Sequence, residues 1–119
     1  MPGPPGLVLK IKRRKVMRKV TREAVRCFMY DEKKTIGNTT ILVEGQVTKM
    51  LLHGNCIART NPDKGGRIEI SDAGWRTNTT KERLNAILDY CKVGRIYQKD
   101  FTWYWKGGEQ FPDGWITVK

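Results

Sequence analysis

Thr79-Thr80-Lys81-Glu82-Arg83-Leu84-Asn85-Ala86-Ile87-Leu88-Asp89-Tyr90-Cys91 carries the sharpest local signal in the chain. Thr79 stands three residues ahead of Glu82, the spacing of a capping box with Thr79 at the N-cap and Glu82 at N3. Leu84, Ile87, Leu88 and Cys91 then recur at helical spacing and form a stripe that faces a core. Gly94 supplies the stop. On both sides of this helix the pattern changes to short β-branched and aromatic runs, so one helix divides two groups of strands.

Working upstream, Arg67–Ser71 alternates with Ile68 and Ile70 inward, and residues 61–66, Asn-Pro-Asp-Lys-Gly-Gly, form a loop. Before it lie three more strand patterns, Thr39–Val43, Val47–Leu52 and Cys56–Thr60. Turns at Glu44-Gly45 and His53-Gly54-Asn55 separate them, which describes an antiparallel meander. A first helix is expected at about 21–32, with Val20 and Thr21 as N′ hydrophobe and N-cap and with Ala24, Cys27 and Phe28 as its apolar face. Downstream of Gly94, Arg95–Gln98 and Phe101–Lys106 read as two strands or one bent one, and Trp115–Val118 as a short last strand. The order of elements defines an α+β fold: a small single domain over residues 17–119, an antiparallel meander sheet and two helices. Residues 1–16, rich in proline and glycine and then in lysine and arginine, are expected to form a flexible basic N-terminal arm; a start at Met17 would make them an extension.

Composition bounds the function. The 119 residues carry 23 basic and 12 acidic side chains, a net charge of +11. Residues 1–20 hold seven of the basic groups (Lys10, Lys12, Arg13, Arg14, Lys15, Arg18 and Lys19) and no acid, so +4 remains for the other 99 residues. No apolar run approaches the roughly 20 residues of a membrane span, so no membrane partner is expected. The N-terminus lacks the order of a secretory signal, since its charge follows its short apolar stretch. Three widely spaced cysteines, Cys27, Cys56 and Cys91, suit thiols in a reducing compartment better than a disulfide framework. With no Cys-x-x-Cys pair and His53 as the single histidine, no metal site or cofactor is expected.

Several segments are familiar. Arg18-Lys19-Val20-Thr21, Gly37-Asn38-Thr39-Thr40, Leu52-His53-Gly54-Asn55-Cys56-Ile57-Ala58, the run from Ile70 through Ser71-Asp72-Ala73-Gly74-Trp75-Arg76-Thr77-Asn78-Thr79 to Asn85, and Trp103-Tyr104 resemble a family of small proteins from tailed bacteriophages. The resemblance runs from about Met17 to Val118, and the stretch Ala73–Asn85 is its most specific part. It implies a phage product acting in the cytoplasm of the bacterial host, and it brings no catalytic residues.

The residues themselves point away from an enzyme. Pro62-Asp63 followed by Glu69-Ile70-Ser71 has a serine where a metal-dependent nuclease needs a lysine. His53 lacks a serine or cysteine partner in any recognisable arrangement, and Ser71 is the one serine. Gly65-Gly66 and Gly107-Gly108 lack the helix and lysine of a phosphate-binding loop. Catalytic residues are therefore expected to be none.

Nucleic acid is the favoured partner, DNA or RNA, held mainly through backbone charge. The cations from Lys10 to Lys19 suit a phosphate backbone. Arg76, Lys81 and Arg83 cluster at the start of the second helix beside Trp75, where helix N–H groups favour anions. Trp103 and Trp105, alternating with Tyr104, form the other candidate surface: a stacking platform if exposed, part of the core if not. In that reading Phe101 shares their face, with Tyr97 and Lys99 in register. The alternative partner is a host protein, a defence or transcription component that the chain would bind and block. An exposed edge in the meander leaves a dimer open.

Overall fold

The computed structural model describes residues 18–61 and 65–118. The proposed arm, with Lys10, Lys12, Arg13, Arg14 and Lys15, lies outside the described residues.

The first helix, α1 (Lys19–Met29), begins two residues earlier than expected, with Arg18 at its N-cap and no side-chain cap. Thr21 does not cap it because its hydroxyl is buried and accepts a hydrogen bond from the Arg83 guanidinium. Ala24, Val25, Cys27 and Phe28 form the buried face, as the spacing requires. The helix stops at Met29; Asp31 takes a left-handed conformation (φ 56°), and Glu32 N–H closes the end on Cys27 C=O at 2.8 Å.

Strands β1 (Lys34–Ile36), β2 (Thr39–Glu44), β3 (Val47–Leu52), β4 (Asn55–Asn61) and β5 (Arg67–Ile70) follow as the expected antiparallel meander. β1 is an addition: three residues inside a polar stretch, paired to β2 across the Gly37-Asn38 turn. Helix α2 (Asn78–Cys91) comes next, and the chain returns through β6 (Tyr97–Lys99), β7 (Thr102–Trp105), β8 (Glu109–Gln110) and β9 (Ile116–Thr117). β9 pairs with β5 and completes a six-stranded sheet of order β1-β2-β3-β4-β5-β9; β6, β7 and β8 form a separate three-stranded sheet. Among the described residues all the pairings are antiparallel, and with two α-helices the fold is α+β.

One cross-strand row explains the core. Ile41, Met50, Ala58, Ile70 and Ile116 are successive register partners across the large sheet, and all but the last are fully buried. The apolar faces of α1 and α2 join that cluster, with Leu84, Ile87 and Leu88 from α2. A bulge between Met50 and Leu51 shifts the pairing by one residue, and Ile57 and Ala58 are both buried in the partner strand. On the adjacent row Arg59 pairs with Glu69 at 2.9 Å and lays its guanidinium 3.9 Å from the Trp115 ring centre.

Helix α2 departs from the sequence expectation at its start. Its N-cap is Thr77, whose hydroxyl accepts Thr80 N–H at 3.1 Å; Thr79 lies inside the helix. With the helix starting at Asn78, Thr80 stands at N3 and Glu82 lies two residues further on, where it faces Arg18 and Arg83. The helix ends at Lys92 in a left-handed conformation, ahead of Gly94. Asn85 then anchors the exit: its side-chain oxygen accepts Ile96 N–H at 2.6 Å and its amide donates to Ile96 C=O at 3.0 Å.

In the small sheet, Trp103 is 1% exposed and Trp105 3%, and both pack on Phe111. Of the two readings these tryptophans allowed, core packing holds, and their place as a nucleic-acid stacking platform is corrected. Asp100 and Phe101 form a two-residue turn with φ of 53° and 66°, so the chain reverses there. Tyr97 consequently lies opposite Tyr104 and Lys99 opposite Thr102, on the face away from the tryptophans. Phe101 stands at the tip instead of in their row.

Candidate functional site

Two of the segments that carry the family resemblance, Leu52–Ala58 and Ile70–Asn85, meet at one end of the large sheet around a cavity of about 320 Å³. Leu52 and Ile57 supply apolar surface; His53, Asn55, Asp72 and Thr77 bring polar groups, and Trp75 stands beside them. A volume of this size is at the lower end of small-ligand pockets.

The walls are built by local turn chemistry. His53 (φ 52°) and Gly54 (φ 82°) make the tight β3–β4 turn, and Asn55 follows as the first residue of β4. His53 N–H donates to Asn38 C=O at 2.9 Å, tying this turn to the β1–β2 turn. The link from β5 to α2 is an Asp-turn. Asp72 accepts Gly74 N–H on its carboxylate at 2.7 Å, and its C=O accepts Trp75 N–H at 2.8 Å. Ala73 and Gly74 both take positive φ there, 55° and 84°, and the chain emerges with Trp75 60% exposed.

Arg76 is held inward. It donates to the Asp72 carboxylate at 2.7 Å, to Phe111 C=O at 3.0 Å and to Asp113 at 3.1 Å, and stands 5.3 Å from the Trp103 ring centre. Its charge is matched by two carboxylates, so it clamps the cavity wall to the small sheet. Arg83 is 1% exposed and belongs to the interior, which corrects its place on the candidate ligand surface. It donates to Thr39 Oγ1 at 3.1 Å, to Asn38 Oδ1 at 3.2 Å, to Glu82 at 2.8 Å and to the Thr21 hydroxyl. Burial pulls the Arg83 guanidinium below its usual value, and the Glu82 charge opposes the shift. Through Asn38 the same network holds the His53 turn.

The remaining candidates separate. Arg18 is committed to Glu82 in a two-nitrogen contact, with Nε 3.1 Å from both carboxylate oxygens. Glu82 answers with a carboxyl held below the usual range, first through the Arg18 hydrogen bond. Lys19 is exposed and Lys81 half-buried, and neither makes an ion pair among the described residues. Of the four tryptophans, Trp103 and Trp105 are buried and Trp115 lies under Arg59, which leaves Trp75 as the one with an uncovered ring. The cavity brings Trp75 together with His53 and Asn55, which sequence reading placed in a turn, and with Asp72 and Thr77, to which it gave no site role of their own beyond Thr77 as a polar donor at the helix start. The signal that could have linked them was their occurrence in the resembling segments.

Among the described residues no group of three or more His, Cys, Asp or Glu is placed to hold a metal ion, and no helix is long and apolar enough to cross a membrane. No curated protein and no solved structure matches the chain. A family model does match it, over residues 17–118, a span that includes every described residue. The chain belongs to the Kyanoviridae Gp96 protein family, a cyanophage family.

Proposed function

We propose that this phage protein binds single-stranded nucleic acid, holding the backbone by charge and one base by stacking, and catalyses no reaction. The observation that carries the reading is Trp75: an indole 60% exposed, presented by a turn that Asp72 fixes, on the wall of a cavity lined by both apolar and polar groups. An aromatic plane beside a recess with hydrogen-bonding groups suits an unpaired base, which has a face to stack and an edge to read. Of the cations singled out from sequence, Lys19 and Lys81 remain for phosphate among the described residues, and Lys10, Lys12, Arg13, Arg14 and Lys15 add to them from the sequence. The non-enzymatic part rests on the cavity's own groups. Asp72 is already engaged by Gly74 N–H and Arg76, the Thr77 hydroxyl is taken up in capping the helix, and no serine or cysteine stands beside His53 among the lining residues.

The test is fluorescence anisotropy with labelled single- and double-stranded DNA and RNA over a salt series, on the full chain and on a version starting at Met17. The reading expects single strands to bind more tightly than duplex, with affinity falling as salt rises, and expects the Met17 version to retain binding. Absence of binding by either protein overturns it and moves a host protein to the front as the partner.

A further inference from the structure

The β6–β7 hairpin has an outer face built unlike the rest of the surface. Tyr97 and Tyr104 are cross-strand partners with rings stacked at 5.8 Å and 25°, and Tyr97 is exposed. Lys99 shares their face and makes no ion pair among the described residues. Phe101, at the tip, is 96% exposed. Its φ of 66° puts a bulky ring in the left-handed region, at a turn position that glycine or asparagine fills without strain. A fully solvated phenyl group on a strained backbone contributes nothing to this fold, and such outliers cluster where ligands bind.

We propose that this face is a second stacking surface for the same single strand, with Phe101 and Tyr97 each taking a base and Lys99 a phosphate. The inference rests on the nucleic-acid reading above. The composition of the hairpin favours this occupant over an apolar protein pocket. Residues 97–105 contain no aliphatic side chain, and Asp100 is their one carboxylate. Phe101 is flanked by polar neighbours and lacks the apolar surroundings that exclude water around a protein hot spot. Aromatic planes alternating with a cation are what a base-bearing strand meets in sequence-tolerant binding sites.

The experiment uses the full chain with Phe101→Ala and Tyr97→Ala, each checked by thermal unfolding, against a labelled single strand and the same strand with its bases removed. Removal of Phe101 should raise the Kd for the base-bearing strand by about 5- to 100-fold, the span of one base–aromatic contact. It should leave the abasic strand and the salt slope unchanged, because stacking releases no counterion. A Kd within about twofold of the parent, or an equal loss on the abasic strand, overturns the proposal. If Trp75→Ala weakens binding while both hairpin variants do not, this inference alone falls; if the parent binds no strand at all, the function itself falls with it.

Discussion

Replacing Arg83 by alanine should be the most damaging single change near the site, although Arg83 touches no ligand. The guanidinium is 1% exposed and gives hydrogen bonds to Thr21, Thr39, Asn38 and Glu82, so it joins α1, β2 and α2 at one point. Removing one partner of a buried charged network costs about 3–5 kcal/mol. Two features keep the loss near the lower end. Glu82 retains Arg18, so no carboxylate is stranded, and Thr39 still donates to Asn38 Oδ1 at 2.9 Å. Thr21, fully buried, loses the partner its oxygen had. We therefore expect about 3 kcal/mol. With a urea slope of about 1–3 kcal/mol per molar the midpoint should fall by roughly 1–3 M. At about 4 °C or more per kcal/mol, the midpoint temperature should fall by about 12 °C or more. Arg83→Lys keeps the charge but loses the planar fork, and should lie between the two. Equilibrium urea unfolding is the assay. A loss below about 1 kcal/mol for Arg83→Ala would refute the claim that this network holds the fold together.

Three further outcomes follow from the same structure. Thr77→Ala should cost about 1 kcal/mol, the usual worth of an N-cap, while Thr79→Ala should cost less than about 0.5; thermal unfolding of the pair decides which threonine caps α2. The Glu82 carboxyl is held below its ordinary value of 4.5, chiefly by the Arg18 hydrogen bond. Its contribution to stability is therefore present above that value and lost as pH falls through the lowered one, and Glu82→Gln should flatten this share of the acid limb in melting curves against pH. Deleting residues 1–16 removes five cations, Lys10, Lys12, Arg13, Arg14 and Lys15, and should reduce the log–log salt slope for single strands by up to about 3.5, read by anisotropy.

The fold was legible where signals were local. Val47–Leu52 is both the expected and the observed strand, and the stripe Leu84, Ile87 and Leu88 is buried as its spacing requires. What escaped was decided by partners distant in sequence. Thr79 and Glu82 have the spacing of a capping box, yet Glu82 is drawn to Arg18, 64 positions away, and the helix starts two residues earlier on Thr77. Thr21 looked like a cap and is instead an acceptor for Arg83. The aromatic strand was misread for another reason. Asp100 tolerates positive φ, but the aromatic Phe101 beside it does not, so the reversal between Lys99 and Thr102 carried only half of a turn signal. That reversal moves Tyr97 and Lys99 away from the tryptophan face and leaves Phe101 at the tip.

The candidate site was legible in part. Trp75 was singled out from sequence and is exposed. Arg76 was singled out with it, but its charge is taken by Asp72 and Asp113. His53 and Asn55 enter the site only because the meander places the β3–β4 turn beside the start of α2, which local patterns do not encode.

The central claim is that Trp75 stacks on a base of a single strand. The most direct measurement is the affinity of the full chain and of Trp75→Ala for one labelled single-stranded oligonucleotide, by anisotropy at several salt concentrations. The account predicts that the variant keeps its thermal midpoint and its salt slope while its Kd rises by at least about 5-fold. An unchanged Kd in a folded variant, or no binding by the parent, would contradict it.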